Sequence, residues 1–138
     1  ALIVWITYRQ HFDATTDPDM QLAAFCSGPA IRSPVNNIIT EAVGTFMLVF
    51  GVMMIVSPQA SLGALDALPV ALLLFGIGLS LGGPTGFAVN PARDLGPRIM
   101  HAILPMANKR DSDWGYAYVP VVGGIIGGLI AAVVYSLL

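Results

Sequence analysis

Asn90, Arg93 and Asp94 carry most of the chemistry in this chain, within the run Gly82-Gly83-Pro84-Thr85-Gly86-Phe87-Ala88-Val89-Asn90-Pro91-Ala92-Arg93-Asp94. Asn90 is a favoured helix N-cap, and Pro91 suits the first helical position, where its missing N–H costs nothing. A helix starting at Pro91 turns free N–H groups, and about half a positive charge, toward the residues before it. Arg93, one turn in, adds a full charge, and the combination repels cations, hydronium included. The Asn90 carboxamide offers N–H donors. The backbone carbonyls of Gly86, Phe87, Ala88 and Val89 lie outside any predicted helix and offer acceptors. A neutral molecule bearing hydroxyls could exchange its water shell for this set, whereas an ion would lose more hydration than neutral dipoles return. Phe87 adds an apolar face, which with Arg93 suits a solute with hydroxyls along one edge and C–H groups along the other. Asp94, in the first helical turn, is expected to stabilise the dipole or bind a loop. No nucleophile–base pair or metal cluster is visible, so neither an enzyme, a metal site nor a cofactor is expected.

Such a pattern has to be held at membrane depth. Of the 138 residues, 56% are hydrophobic and 10% charged, with mean hydropathy +0.77, whereas soluble domains carry about 25% charged residues. The net charge of −2 and the lack of a basic run exclude a nucleic-acid partner. The lone Cys26 can form no internal disulfide and is read as structural. In a bilayer, non-helical backbone is tolerated only where it is buried in protein or lines a watery cavity. Charged groups at that depth are usually functional. Residues 83–104 therefore read as a re-entrant loop and half-helix, running from Pro91 to about Leu104 before Pro105. Some 14 residues give roughly 21 Å, short of the ~30 Å hydrocarbon core.

The fold class is all-α, a polytopic membrane helical bundle forming a single domain over 1–138. Residues 1–12 are predicted to end a transmembrane helix whose beginning is absent, which makes the chain a fragment; no signal-peptide pattern occurs. Residues 13–35 form an aqueous loop, with a short helix near Met20–Phe25. Residues 36–57 form a spanning helix, capped by Asn36 or Asn37 and ended by Ser57-Pro58. Its one ionisable residue, Glu41, shares a face with Gly44, Thr45, Leu48, Gly51 and Val52. Glu41 is expected to accept hydrogen bonds from backbone N–H groups of the irregular loop, turning the loop's carbonyls toward a passage; snorkelling to the interface is the alternative. Residues 68–82 and 116–138 supply two further transmembrane helices, the last with overlapping pairs Gly123/Gly127 and Gly124/Gly128 for close helix contact. His11 is expected to be solvated and His101 to lie near the surface. Trp114, Tyr116 and Tyr118 are read as interface anchors. All six Lys and Arg lie outside the Ser57–Ala67 connector, which by charge alone would place it outside the cell.

The run Thr85 to Asp94 closely resembles the second Asn-Pro-Ala motif of the aquaporin (major intrinsic protein) family, and Asp94 after Arg93 resembles its glycerol-facilitator (aquaglyceroporin) branch. Arg98 and Pro120-Val121 are similar to that branch, and Glu41-x-x-x-Thr45 to the buried glutamate of the family's fourth helix. The resemblance covers Ala1 to Leu138 as the end of helix three and the second inverted repeat. It implies six tilted helices and two half-helices meeting at two Asn-Pro-Ala motifs, in a homotetramer with one pore per subunit. It further implies that Asn90 donates to the solute, that Phe87 and Arg93 form part of a narrow filter, and that Gly86, Phe87, Ala88 and Val89 present acceptor carbonyls. Glu41, Pro91, Ala92 and Asp94 take supporting places, and the Ser57–Ala67 connector falls in the cytoplasm. The chain departs from the pattern in having one Asn-Pro-Ala, so it is not expected to form a complete pore alone. The function implied is a multi-pass channel of the cell (plasma or inner) membrane. It would pass glycerol, other small neutral polyols and some water, and exclude ions and protons. Alternatives are a water-selective aquaporin, a secondary transporter with a discontinuous helix, or a non-transporting assembly subunit.

Overall fold

A computed structural model describes residues 1–56 and 63–138. Its helices are α1 (Leu2–Thr7), α2 (Arg9–Ala14), α3 (Pro18–Ala23), α4 (Pro34–Ile55), α5 (Ala67–Thr85), α6 (Pro91–Ile103) and α7 (Tyr118–Ser136), with one 3-10 turn at Gly63–Leu65 before α5. No strand occurs among the described residues. Three helical segments, Pro34–Ile55, Gly63–Thr85 and Tyr118–Ser136, are long and apolar enough to cross a membrane, with mean hydropathies of 2.1, 2.0 and 2.0. α6 has 13 residues and stops short of that length.

Several boundaries differ from the sequence reading. The helix expected to end at residue 82 continues to Thr85, with Pro84 inside it. The Gly82-Gly83-Pro84 run is thus the last turn rather than the break. Gly86 ends the helix, in the left-handed conformation at φ 79° that a residue without Cβ adopts freely, its N–H bonded to Gly82 O. α4 begins two residues before the expected 36, because Pro34 takes the first helical position after Ser33. Asn36 and Asn37 serve the start from inside: Asn37 Oδ1 accepts from Ser33 N at 3.0 Å and Asn36 Nδ2 donates to Ser33 Oγ at 2.8 Å. The expected Ser57-Pro58 stop lies outside the described residues. The segment 1–12 is divided at Tyr8 into α1 and α2. The loop over 13–35 holds α3, which Asp17 caps by accepting from Asp19 N and Met20 N.

Glycines set how closely the long helices pack. In lipid, apolar burial does not drive helices together, so small residues and close contact must do so. A Cβ on Gly123 would lie 2.5 Å from Glu41 Cβ and 3.0 Å from Ile38 O. One on Gly127 would press on Ala42 O and lie 2.9 Å from Phe46 N and Thr45 Cβ. The Gly123/Gly127 pair is therefore the α4–α7 seam. Of the second pair, Gly124 abuts Pro91 at the start of α6, while Gly128 meets nothing within 4 Å. On the other side of α4, Gly44 faces Val89 and Gly51 faces Leu73 of α5. Lys109 closes the C-terminus of α6, its Nζ donating to His101 O, Ala102 O and Leu104 O at 2.9, 2.7 and 2.7 Å.

Two expectations about surface residues are corrected. His101 is fully buried, with Nδ1 2.8 Å from Ser112 Oγ and its ring against Phe25. Tyr116 is also buried, whereas Trp114 and Tyr118 are exposed. His101 is covered by Phe25 from the segment before α4 and Ser112 from the loop after α6. Tyr116 lies in the turn before α7 with the Arg32 guanidinium over its ring. The seam yields a contrast: Gly127→Ala should destabilise the protein by about 1–3 kcal/mol through forced separation of α4 and α7, while Gly128→Ala should be neutral or stabilising. Denaturation in detergent, followed by circular dichroism, reads both. Equal effects would remove Gly127 from the seam.

Candidate functional site

The site is built on residues 86–94, between α5 and α6. Gly86, Phe87 and Val89 have φ of 79°, 59° and 41°. For Phe87 and Val89 such a backbone is unfavourable by about 1–3 kcal/mol each and persists only where the surroundings fix it. Glu41 of α4 does so. Its Oε1 accepts from Ala88 N at 3.2 Å and its Oε2 from Val89 N at 2.6 Å, all in buried surroundings. With the amide N–H groups drawn back to Glu41, no protein donor is bonded to the carbonyls of Phe87, Ala88 or Val89 among the described residues. Gly86 differs from its expected place as a free acceptor, because Arg93 Nη1 donates to its carbonyl at 3.3 Å.

The loop has two faces. Thr85, Ala88, Val89 and Asp94 are buried, while Gly86, Asn90, Ala92 and Arg93 are exposed. Pro91 is half-buried against Gly124. Asn90 is extended (φ −163°), and its Oδ1 accepts from Ala92 N at 2.8 Å. That bond fixes the carboxamide, so its NH2 end is the one left to project from the helix N-terminus. The Arg93 guanidinium lies 6.0 Å from the centroid of the Phe87 ring. Phe87 in turn rests on Gly78 of α5, where an added Cβ would stand 3.4 Å from the ring edge. The glycine spacing of α5, with Gly76, Gly78 and Gly82, predicts a close-packing face, and the Phe87 ring is the partner of Gly78 that spacing alone does not name. In front of Arg93 and Gly86 opens a cavity of about 400 Å3, bounded on the far side by Ser27, Gly28 and Pro29.

Asp94 faces away from that cavity. Both its oxygens bind Arg98, Oδ2 to Nε at 2.7 Å and Oδ1 to Nη2 at 2.8 Å, and Oδ1 also accepts from Ser27 N (2.9 Å) and Ser27 Oγ (2.6 Å). Two ion pairs join the loops at the cavity's rim, Arg32–Asp113 at 2.5 Å and Arg110–Asp19. Among the described residues no cluster of three or more His, Cys, Asp or Glu could hold a metal. Cys26, buried beside this network, has its thiol pushed up to about 11, chiefly by burial, with the Arg98 charge opposing.

The sequence profile described as Major intrinsic protein matches residues 1–135. The chain is 52% identical over 136 residues to a probable glycerol uptake facilitator protein of Thermotoga maritima, covering 99% of this chain and 58% of that protein. It is 49% identical over 137 residues to glycerol uptake facilitator protein 3 of Lactiplantibacillus plantarum, covering 99% and 57%. A D/L-lactic acid transporter of the same organism is 45% identical over 136 residues, covering 96% and 56%. The chain thus spans somewhat more than half the length of these relatives.

Two outcomes are expected. Replacing Glu41 by Gln sets an amide NH2 against a backbone N–H, which should cost about 1–3 kcal/mol and speed hydrogen exchange at Ala88 and Val89. Unaltered protection there would remove Glu41 as the loop's anchor. Cys26 should resist maleimide at neutral pH in the folded protein and react at once on unfolding, because the thiolate is the reactive form; prompt native labelling would contradict its burial.

Proposed function

The chain belongs to the Major intrinsic protein family, and from that premise we propose that it supplies the solute-selecting half of a passive membrane channel for glycerol and similar small polyols. The observation that carries this reading is the two-faced loop. Its N–H groups are drawn to Glu41 behind, its carbonyls from Phe87 to Val89 have no protein donor among the described residues, and Asn90 and Arg93 lie on the exposed side. Carbonyls of Phe87, Ala88 and Val89 accept from hydroxyls, Asn90 donates, and the Phe87 ring takes the C–H edge. Exclusion of ions and protons would follow from the positive charge of Arg93 and of the α6 N-terminus beside it. Some water would pass on the same groups.

The proposal extends to the whole assembly: a second Asn-Pro-Ala half-helix completing the pore, a homotetramer, and a place in the plasma or inner membrane. The names of the facilitator relatives support glycerol as the solute. The lactic acid transporter among the relatives supports a second reading, in which a small hydroxy acid passes by the same donors and acceptors. The roles are those of binding and passage, and no residue is assigned to catalysis.

The intact protein in liposomes should speed equilibration of glycerol without ion current, and no proton or sodium gradient should alter the rate. Lactic acid and water measured in parallel separate the alternatives. Arg93→Ala should raise leakage of cations or larger polyols by about tenfold or more. Selectivity unchanged by that substitution would defeat the placement of Arg93 in the filter, and gradient-driven accumulation would favour a coupled transporter.

A further inference from the structure

Arg98 has more bonds than a supporting i, i+4 partner of Asp94 requires. Besides its two bonds to Asp94, Nη1 donates to Ser112 O at 2.6 Å and Asp113 O at 2.9 Å, and Nη2 donates to Ser27 O at 2.9 Å. All five guanidinium N–H donors are thus matched in a site where both Asp94 and Arg98 are fully buried. A buried ion pair is a poor way to gain stability, since desolvation offsets its attraction. What it gives is a single geometry, because a rigid fork with five donors accepts few arrangements. Three segments that are distant in sequence meet in that geometry: the loop at Ser27, the half-helix α6, and the loop at Ser112–Asp113.

The segment held at Ser27 continues directly into the wall of the cavity. A Cβ on Gly86 would lie 3.1 Å from both Gly28 N and Gly28 O, so main chain touches main chain there. Two residues on, Ala30 N donates to Pro84 O at 3.1 Å. Gly86 O is also the acceptor for Arg93. The path from Asp94 to the aperture is therefore short: Ser27, Gly28, Gly86, Arg93.

We propose that Asp94, Arg98 and Ser27 form a positioning device that sets the width of the passage at Arg93, and so its size selectivity, by fixing the main chain at Ser27–Gly28 against Gly86. This rests on the channel reading above. None of the three side chains faces the cavity's solute with a free donor; they act through the backbone they hold. Arg98→Lys keeps the charge and loses the fork. Ser27→Ala removes one donor to Asp94 and leaves the backbone bond.

The test compares wild type, Arg98→Lys and Ser27→Ala in liposomes, measuring glycerol and the six-carbon polyol sorbitol per folded channel. The glycerol-to-sorbitol ratio should fall about threefold or more in Arg98→Lys, and by less in Ser27→Ala. Should Arg98→Lys fail to fold, Ser27→Ala carries the comparison. Both fluxes falling in proportion, with the ratio intact, would mean a purely structural role and would overturn the inference. Hydrogen exchange is the second arm and needs no transport. The Ala30 N–H should exchange faster in the variants, while Ala88 and Val89, held by Glu41, keep wild-type rates. Unchanged exchange at Ala30 would also overturn the inference. A wild type that passes no glycerol would instead defeat the channel reading, with the exchange arm still deciding the positioning.

Discussion

The bond pair from Glu41 to the amides of Ala88 and Val89 is the constraint on which the rest depends. A chain segment with Phe87 and Val89 in the left-handed region does not hold that shape alone. A carboxyl group buried without partners would be as unfavourable. Each removes the other's difficulty, and the neighbouring glycines make the meeting possible. Gly123 lets α7 come against Glu41, Gly44 leaves room for the Val89 side chain, and Gly124 seats Pro91 at the head of α6. Larger residues at these points would push the carboxyl, the loop or the half-helix out of reach.

The loop is anchored twice, by opposite kinds of group. Behind it, an acceptor on α4 collects backbone donors. Beyond it, Arg98 collects backbone acceptors from Ser27, Ser112 and Asp113, with Asp94 balancing the charge. Between the anchors, the groups with capacity to spare are the unbonded carbonyls of Phe87 to Val89, the Asn90 NH2 and the outer edge of Arg93. Selective binding of a small neutral molecule needs a sparse, fixed set of that kind.

The parts legible in the sequence were those governed by local chemistry. Asn90-Pro91 announces a helix start because capping and the proline ring act within a few residues, and α6 begins at Pro91. The apolar runs announce α4, α5 and α7 because length and hydropathy suffice. Boundaries were less legible. Gly82-Gly83-Pro84 reads as a break, yet Pro84 is accommodated in the last turn of α5 and the left-handed Gly86 makes the stop. Of the site, the 94/98 spacing on one helix face is visible, but Ser27, 67 residues before Asp94, is not. The burial of His101 and Tyr116 was misjudged for the same reason: Phe25 packs on one and Arg32 lies over the other, and local sequence carries no record of partners so distant along the chain.

The meeting of Gly28 with Gly86 involves no side chain on either partner. A seam made only of main chain is indifferent to what neighbouring residues are and strict about how many there are. Substitutions from Pro29 to Ile31 leave the path of the backbone open to them. An insertion or deletion between Ser27 and Ala30 would throw off the spacing between the carboxyl that grips one and the carbonyl that receives the other. Drift in this segment should therefore run through composition while its length stays fixed.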